Sequence, residues 1–233
     1  MSRRVFITGG SAGLGRALVD HYADAGWSVV TQGRRAADQI APPLPQHVTY
    51  QQHDFARDVG LPAMVTDAPL DLAILNAGAG HVGPLTALTD DQIAELVHVN
   101  TTAPLLQAQA LYPTLAAAKG TLVLIGSTTA RGAHPDFASY AATKAALAGA
   151  ARALRLEWQD RVRVVIVHPG PTATEMHDRA GLPQSGIRRL FTPAPIVARA
   201  VASAAASGRD RRLGMTFLLR HAPAALRASG ANA

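Results

Sequence analysis

The chain has 233 residues, 48% apolar and 16% charged, a length and balance that suit one folded domain and exclude a disordered chain. No apolar run reaches the roughly 18 residues of a membrane span, and the absence of cysteine excludes disulfides, thiolate catalysis and cysteine-ligated zinc. The net charge of +6 comes from 22 Lys and Arg against 16 Asp and Glu; 20 of those 22 are Arg, scattered without the clustering or aromatic interleaving of a nucleic-acid surface, so attraction of a small polyanion accounts for it.

The opening MSRRVFITGG shows no apolar leader or small-residue cleavage site, which makes a cytoplasmic location the expectation. Arg3 to Thr8 reads as a strand, followed by a turn containing Gly9, Ser11, Ala12, Gly13, Leu14 and Gly15 and then a helical stretch. Strand, glycine turn and helix form a phosphate-binding arrangement: the backbone approaches a pyrophosphate whose charge faces the helix N-terminus. The spacing G-x-x-x-G-x-G departs from the common dinucleotide fingerprint. Trp27 to Gln32 reads as the second strand, ending at Gly33-Arg34-Arg35 with no acid between Trp27 and Arg35. That end of a dinucleotide fold meets the adenosine ribose, where an acid holds a 2′-hydroxyl and an arginine accepts a 2′-phosphate. NADP(H) is therefore the preferred cofactor and NAD(H) the second candidate, with Arg34 on the phosphate and Arg35 beside it or stacked on adenine.

His47 to Gln52 reads as the third strand, and His53-Asp54-Phe55 as the opening of a helix capped by Asp54. Asp71 to Leu75 is a buried parallel strand ending in the small-residue loop Asn76-Ala77-Gly78, at the edge where ligands sit in open α/β sheets. Thr89-Asp90-Asp91 starts a long helix carrying Asn100, a polar residue that needs a partner, and Pro104 should kink that helix. Thr121 to Ser127 is the fifth strand, Phe137 to Trp158 a helix, and Arg161 to Gly170 the sixth strand with its exit turn. The segment at about 175–192, interrupted by Gly181, Pro183 and Gly186, reads as a substrate lid, followed by a helix and a last strand, RLGMTFLL. One domain over 1–233 is expected: a Rossmann-type, doubly wound, mainly parallel seven-stranded sheet with helices on both faces.

The stretch of greatest chemical interest is Tyr140-Ala-Ala-Thr-Lys144. Tyr and Lys four apart share a helix face, so an ammonium below the phenol would favour its ionised form and suit proton transfer. A packed Tyr and a solvated Lys is the plainer alternative. Asn100, Ser127, Tyr140 and Lys144 converge on one sheet edge, and with the motifs around them the chain resembles the short-chain dehydrogenase/reductase family in its single-domain, NADP(H)-preferring branch. The resemblance runs from about residue 3 to 175: TGGSAGLG from Thr8, Asp54 with Phe55, Asn76-Ala77-Gly78, the four residues above, then Pro169-Gly170. Ser127 precedes Tyr140 by 13 residues and Asn100 precedes Ser127 by 27, as in the family.

The resemblance implies hydride exchange between nicotinamide and a carbonyl or secondary alcohol. In it Tyr140 is the general acid/base, Ser127 orients the substrate oxygen, and Lys144 lowers the Tyr140 pKa and holds the nicotinamide ribose. Asn100 holds a water for proton resupply. It also places Pro169, Gly170, Thr172 and Thr174 at the nicotinamide carboxamide. Thr172 stands where the family has a branched apolar residue, and the glycine turn carries Ser11 and Ala12 in place of a basic residue. The C-terminal sequence is unlike the family's tetramer-building ending, so a homodimer and a homotetramer are both candidates. A small carbonyl or alcohol is the expected partner, with no metal, nucleic acid or integral membrane segment. His81, Val82, His134 and Phe137 are expected to line its pocket. A non-catalytic dinucleotide-binding regulator or scaffold of the same fold is the competing reading.

Overall fold

The computed structural model describes residues 2–132, 134–181, 191–214 and 217. Its centre is a parallel sheet whose inner strands are continuous apolar runs, as strands covered on both faces require. These are β1 (Arg4–Thr8), β4 (Leu72–Leu75), β5 (Thr121–Ile125) and β6 (Arg163–Pro169). β2 (Ser28–Gly33) and the more exposed β3 (Thr49–Gln52) extend one side, and β9 (Arg211–Leu213) closes the other. The order is β3-β2-β1-β4-β5-β6-β9, seven strands, every pairing parallel. Strand order reverses between β1 and β4, which opens a crevice at the carboxyl edge.

Alternation along the strands divides the core in two. In β1, β5 and β6, odd-numbered residues such as Val5, Ile7, Val123 and Val165 pack with α1 (Gly13–Asp24) and α7 (Ala194–Ser207). Even-numbered ones such as Phe6, Leu122, Leu124 and Ile166 pack with α4 (Ala103–Ala118) and α5 (Ala138–Glu157). Short elements complete the chain: α2 (Ala63–Thr66), α3 (Asp90–Val97), α6 (Met176–Arg179), and a two-stranded parallel pair of β7 (Thr172–Ala173) and β8 (Thr192–Pro193) that sequence reasoning did not foresee. Among the described residues no helix is long and apolar enough to cross a membrane.

One expectation is corrected. No helix opens at His53-Asp54-Phe55: Asp54 Oδ1 accepts from Ala56 N at 3.1 Å in a turn, and Gly60 and Pro62 follow too soon for helix to propagate. Pro104 stands at the start of α4, directly after a π-helical segment over His98–Thr102 that joins α3 to α4, and Asn100 within that segment is buried.

Candidate active site

The crevice is a cleft of about 800 Å³, running from Arg34 and Asp54 past the glycine turn to Tyr140, Phe191 and Arg212. The glycine turn follows from steric demand. Gly9 and Gly13 have φ of +75° and +56°, and a Cβ on Gly15 would stand 2.1 Å from Gly9 O. α1 has Ala12 as N-cap with no side-chain cap bond, so its first-turn amides lie open to the cleft. Thr8 Oγ1, which sequence reasoning missed, accepts from Asn76 N at 2.9 Å and Ala77 N at 3.0 Å. Asn76 Nδ2 donates to Thr8 O at 3.0 Å, and these bonds together tie the Asn76-Ala77-Gly78 loop to the end of β1. Thr174 stands across the turn, its Cγ2 3.1 Å from where a Gly13 Cβ would lie. Pro169, Gly170 and Thr172 line the same wall, and Thr172 Oγ1 donates to Gly170 O at 3.0 Å.

At the far end Arg34, Arg35, Asp54 and Phe55 line the cleft together. Tyr50 OH lies 2.7 Å from Gly33 O and 2.6 Å from Arg35 O, fixing the loop after β2. The two arginines differ in their engagement. Arg35 pairs with Glu175, whereas the Arg34 guanidinium has no ion pair among the described residues. Open glycine-turn amides, a free guanidinium and a cleft within the roughly 300–1,000 Å³ of small-molecule sites fit a dinucleotide.

Asn100, Ser127, Tyr140 and Lys144 are brought together at the other end. Asn100 is fully buried and fully used: its Oδ1 accepts from Ala79 N at 2.9 Å, and its Nδ2 donates to Ala79 O at 3.0 Å and Thr143 Oγ1 at 3.2 Å. Ala in its place leaves those groups unpartnered at about 1–3 kcal/mol each. Asn100→Ala is therefore expected to lower the urea midpoint, by a stability loss of about 2–4 kcal/mol, together with turnover. Lost turnover at an unchanged midpoint would assign Asn100 to proton resupply alone.

Ser127 Oγ accepts from Thr129 N at 3.2 Å and Thr129 Oγ1 at 2.8 Å, which directs its own proton outward, to the Tyr140 phenol. Lys144 is 4% exposed; Nζ donates to Ile125 O at 3.0 Å and lies 5.8 Å from the Tyr140 ring centroid. Burial lowers its pKa to about 8. Burial likewise pushes Tyr140 up to about 12, with Ser127 pulling the other way. The expected lowering of Tyr140 by Lys144 is thus not met in this geometry: the ammonium donates to the Ile125 carbonyl and lies 5.8 Å from the ring centroid, and desolvation dominates.

His81, Val82, His134 and Phe137 line the cleft beside Tyr140, with His81 Nε2 2.8 Å from Glu95 Oε2. Of the lid expected at about 175–192, α6 is described and its end is fixed to the opposite wall, Val82 N donating to Ala180 O at 2.9 Å. Residues 182–190 lie outside the described residues, as do those of the last expected strand other than 212–214 and 217. His168, Thr129 and Glu175 also serve the site, and nothing in their local sequence signals it.

The family model described as short chain dehydrogenase matches residues 3–184. Protein FixR of Bradyrhizobium diazoefficiens is 32% identical over 74% of this chain and 68% of its own length. Uncharacterized oxidoreductase YciK of Escherichia coli is 30% identical over 92% of this chain and 90% of its own. Among solved structures, a short-chain dehydrogenase from Sphingobium yanoikuyae in complex with NADPH superposes with a TM-score of 0.81 at 26% identity, covering 98% of this chain and 93% of that one.

Proposed function

The chain is an oxidoreductase of the short-chain dehydrogenase family, and from that membership we propose that it interconverts a carbonyl compound and a secondary alcohol with NADP(H), Tyr140 serving as general acid/base. The observation that carries this reading is the placement of Ser127, Tyr140 and the buried Lys144 in the wall of the cleft that begins at the glycine turn. When bound, the nicotinamide supplies hydride. The turn from Gly9 to Gly15 seats the pyrophosphate, Asn76 to Gly78 and the Pro169-to-Thr174 wall flank it, and Arg34 takes the 2′-phosphate. Asp54 and Phe55 border the adenine.

Each residue's part follows from its surroundings. Ser127, whose hydroxyl proton points outward, donates to the substrate oxygen and orients it. Tyr140, held protonated by burial, delivers its proton to that oxygen. As it does so a phenolate develops in a desolvated site, and the ammonium of Lys144 under the ring offsets that charge. Lys144 acts where charge develops, without needing to ionise the resting phenol. Nothing in the geometry favours the non-catalytic regulator.

A panel of ketones and aldehydes with NADPH tests the reading, and its pH dependence tests the roles. Tyr140 keeps its proton up to about 12, whereas Lys144 loses its charge as pH rises through about 8. Carbonyl reduction should be level below that value and fall above it. Alcohol oxidation, which needs the phenolate, should rise with pH. Reduction that climbs through the alkaline range would contradict these roles.

A further inference from the structure

Arg212 is the middle residue of β9 and pairs in register with His168 of β6. Its neighbours face α7: Arg211 donates to Ser203 Oγ at 3.2 Å, and Leu213 joins the core beneath that helix. Alternation therefore sends Arg212 to the opposite face, where it lines the cleft. Its guanidinium makes no hydrogen bond or ion pair among the described residues.

His168 lies on the same face, 9% exposed, its Nδ1 donating to Ser127 O at 3.0 Å. Arg131 ends the 3-10 turn that starts directly after Ser127, and it too is unpartnered among the described residues. Burial, then Arg131 and Arg212, lower the His168 pKa against the opposing effects of its bond to Ser127 and of Asp210, so both guanidiniums are near enough to act on that ring. The ring adds no charge, and the nearby acids are spoken for. Asp210 is held by Arg155 at 2.8 and 3.0 Å and by Ile166 N at 2.9 Å, and Glu95 pairs with His81. Among the described residues, neither Arg131 nor Arg212 is held by an ion pair in this wall beside Ser127.

We propose that Arg212, backed by Arg131, is an oxyanion subsite for the substrate, so that the compound bearing the reactive carbonyl also bears a carboxylate or a phosphate. This rests on the oxidoreductase reading above. Arg212 is in register with His168, His168 is bonded to Ser127 O, and Arg212 and Ser127 line one cleft, so a single small molecule can present an anion to Arg212 and its carbonyl to Ser127. A guanidinium suits both anions because its fork of N–H groups meets paired oxygens.

The test compares para-carboxybenzaldehyde and para-formylphenyl phosphate with the neutral methyl ester of the former, using NADPH. At least one anion should exceed the ester in kcat/KM by about tenfold, the scale of one charge-assisted hydrogen bond. Arg212→Met should bring that ratio near unity and Arg212→Glu should invert it. Arg211→Met, altered on the face away from the cleft, should keep the wild-type ratio. In parallel, benzoate and phenyl phosphate are titrated against methyl benzoate into the NADPH-loaded protein, and Arg212→Met should erase the anion's advantage. Equal or better use of the ester, or an equal shift in Arg211→Met, overturns the subsite. If no aldehyde is consumed, the carbonyl-reduction reading falls instead and the titration alone decides the subsite.

Discussion

Replacing Tyr140 with phenylalanine is expected to lower kcat for carbonyl reduction by roughly 10²–10⁴-fold, the range for loss of a positioned general acid. The substitution removes one oxygen from a ring that stays packed near Phe137, 6.4 Å between centroids, and over the Lys144 ammonium. Fold and dinucleotide affinity should persist, since the glycine turn and the Asn76 loop are untouched. The loss should therefore fall on kcat, with NADPH dissociation measured by fluorescence changing less than about threefold. The unfolding midpoint should be near wild type, because the phenol gives up only its bond to Ser127. A variant that kept wild-type kcat would move the proton donor elsewhere, and a variant that lost NADPH binding would make Tyr140 structural.

Arg34→Ala is expected to lower kcat/KM with NADPH by about 10–100-fold, the worth of a charge-assisted contact to phosphate, and to leave that with NADH much less affected. The two arginines after β2 are distinguishable because their surroundings differ. Arg35 is committed to Glu175, so Arg35→Ala should have the smaller effect on the ratio, while Arg34 lines the cleft with its guanidinium free of ion pairs among the described residues. No acid lies between Trp27 and Arg35 to bind a 2′-hydroxyl in competition. Parallel kinetics with both cofactors check this. An unchanged NADPH to NADH ratio in Arg34→Ala would remove the basis for NADP(H) preference.

Much of this was legible because it depends on local chemistry. The apolar runs of β1, β4, β5 and β6 could only be parallel strands covered on both faces, and the turn from Gly9 to Gly15 announced a close backbone approach. Tyr140, Lys144 and Ser127 were found by spacing. What escaped depends on contacts between distant segments. Thr8 locking Asn76, Glu175 reaching Arg35 across 140 positions and His168 holding Ser127 O have no signature in their own neighbourhoods. The π-helical segment at His98–Thr102 escaped because an extra residue in a helical turn leaves no pattern in the sequence, although Asn100 had already signalled a buried polar group in need of partners. The direction of the Tyr140 shift escaped for an energetic reason: spacing reveals a charge nearby, but only the packed structure reveals how much water the phenol has lost.

The central claim, that Tyr140 gives its proton to a carbonyl oxygen in a nicotinamide-dependent reduction, is tested most directly by stoichiometry. NADPH oxidation and alcohol formation are followed together from one carbonyl compound accepted by the wild-type protein, beside Tyr140→Phe at equal NADPH occupancy. One alcohol should form per NADPH consumed by the wild type, with neither process above background in the variant. Alcohol formation by Tyr140→Phe at the wild-type rate would contradict it.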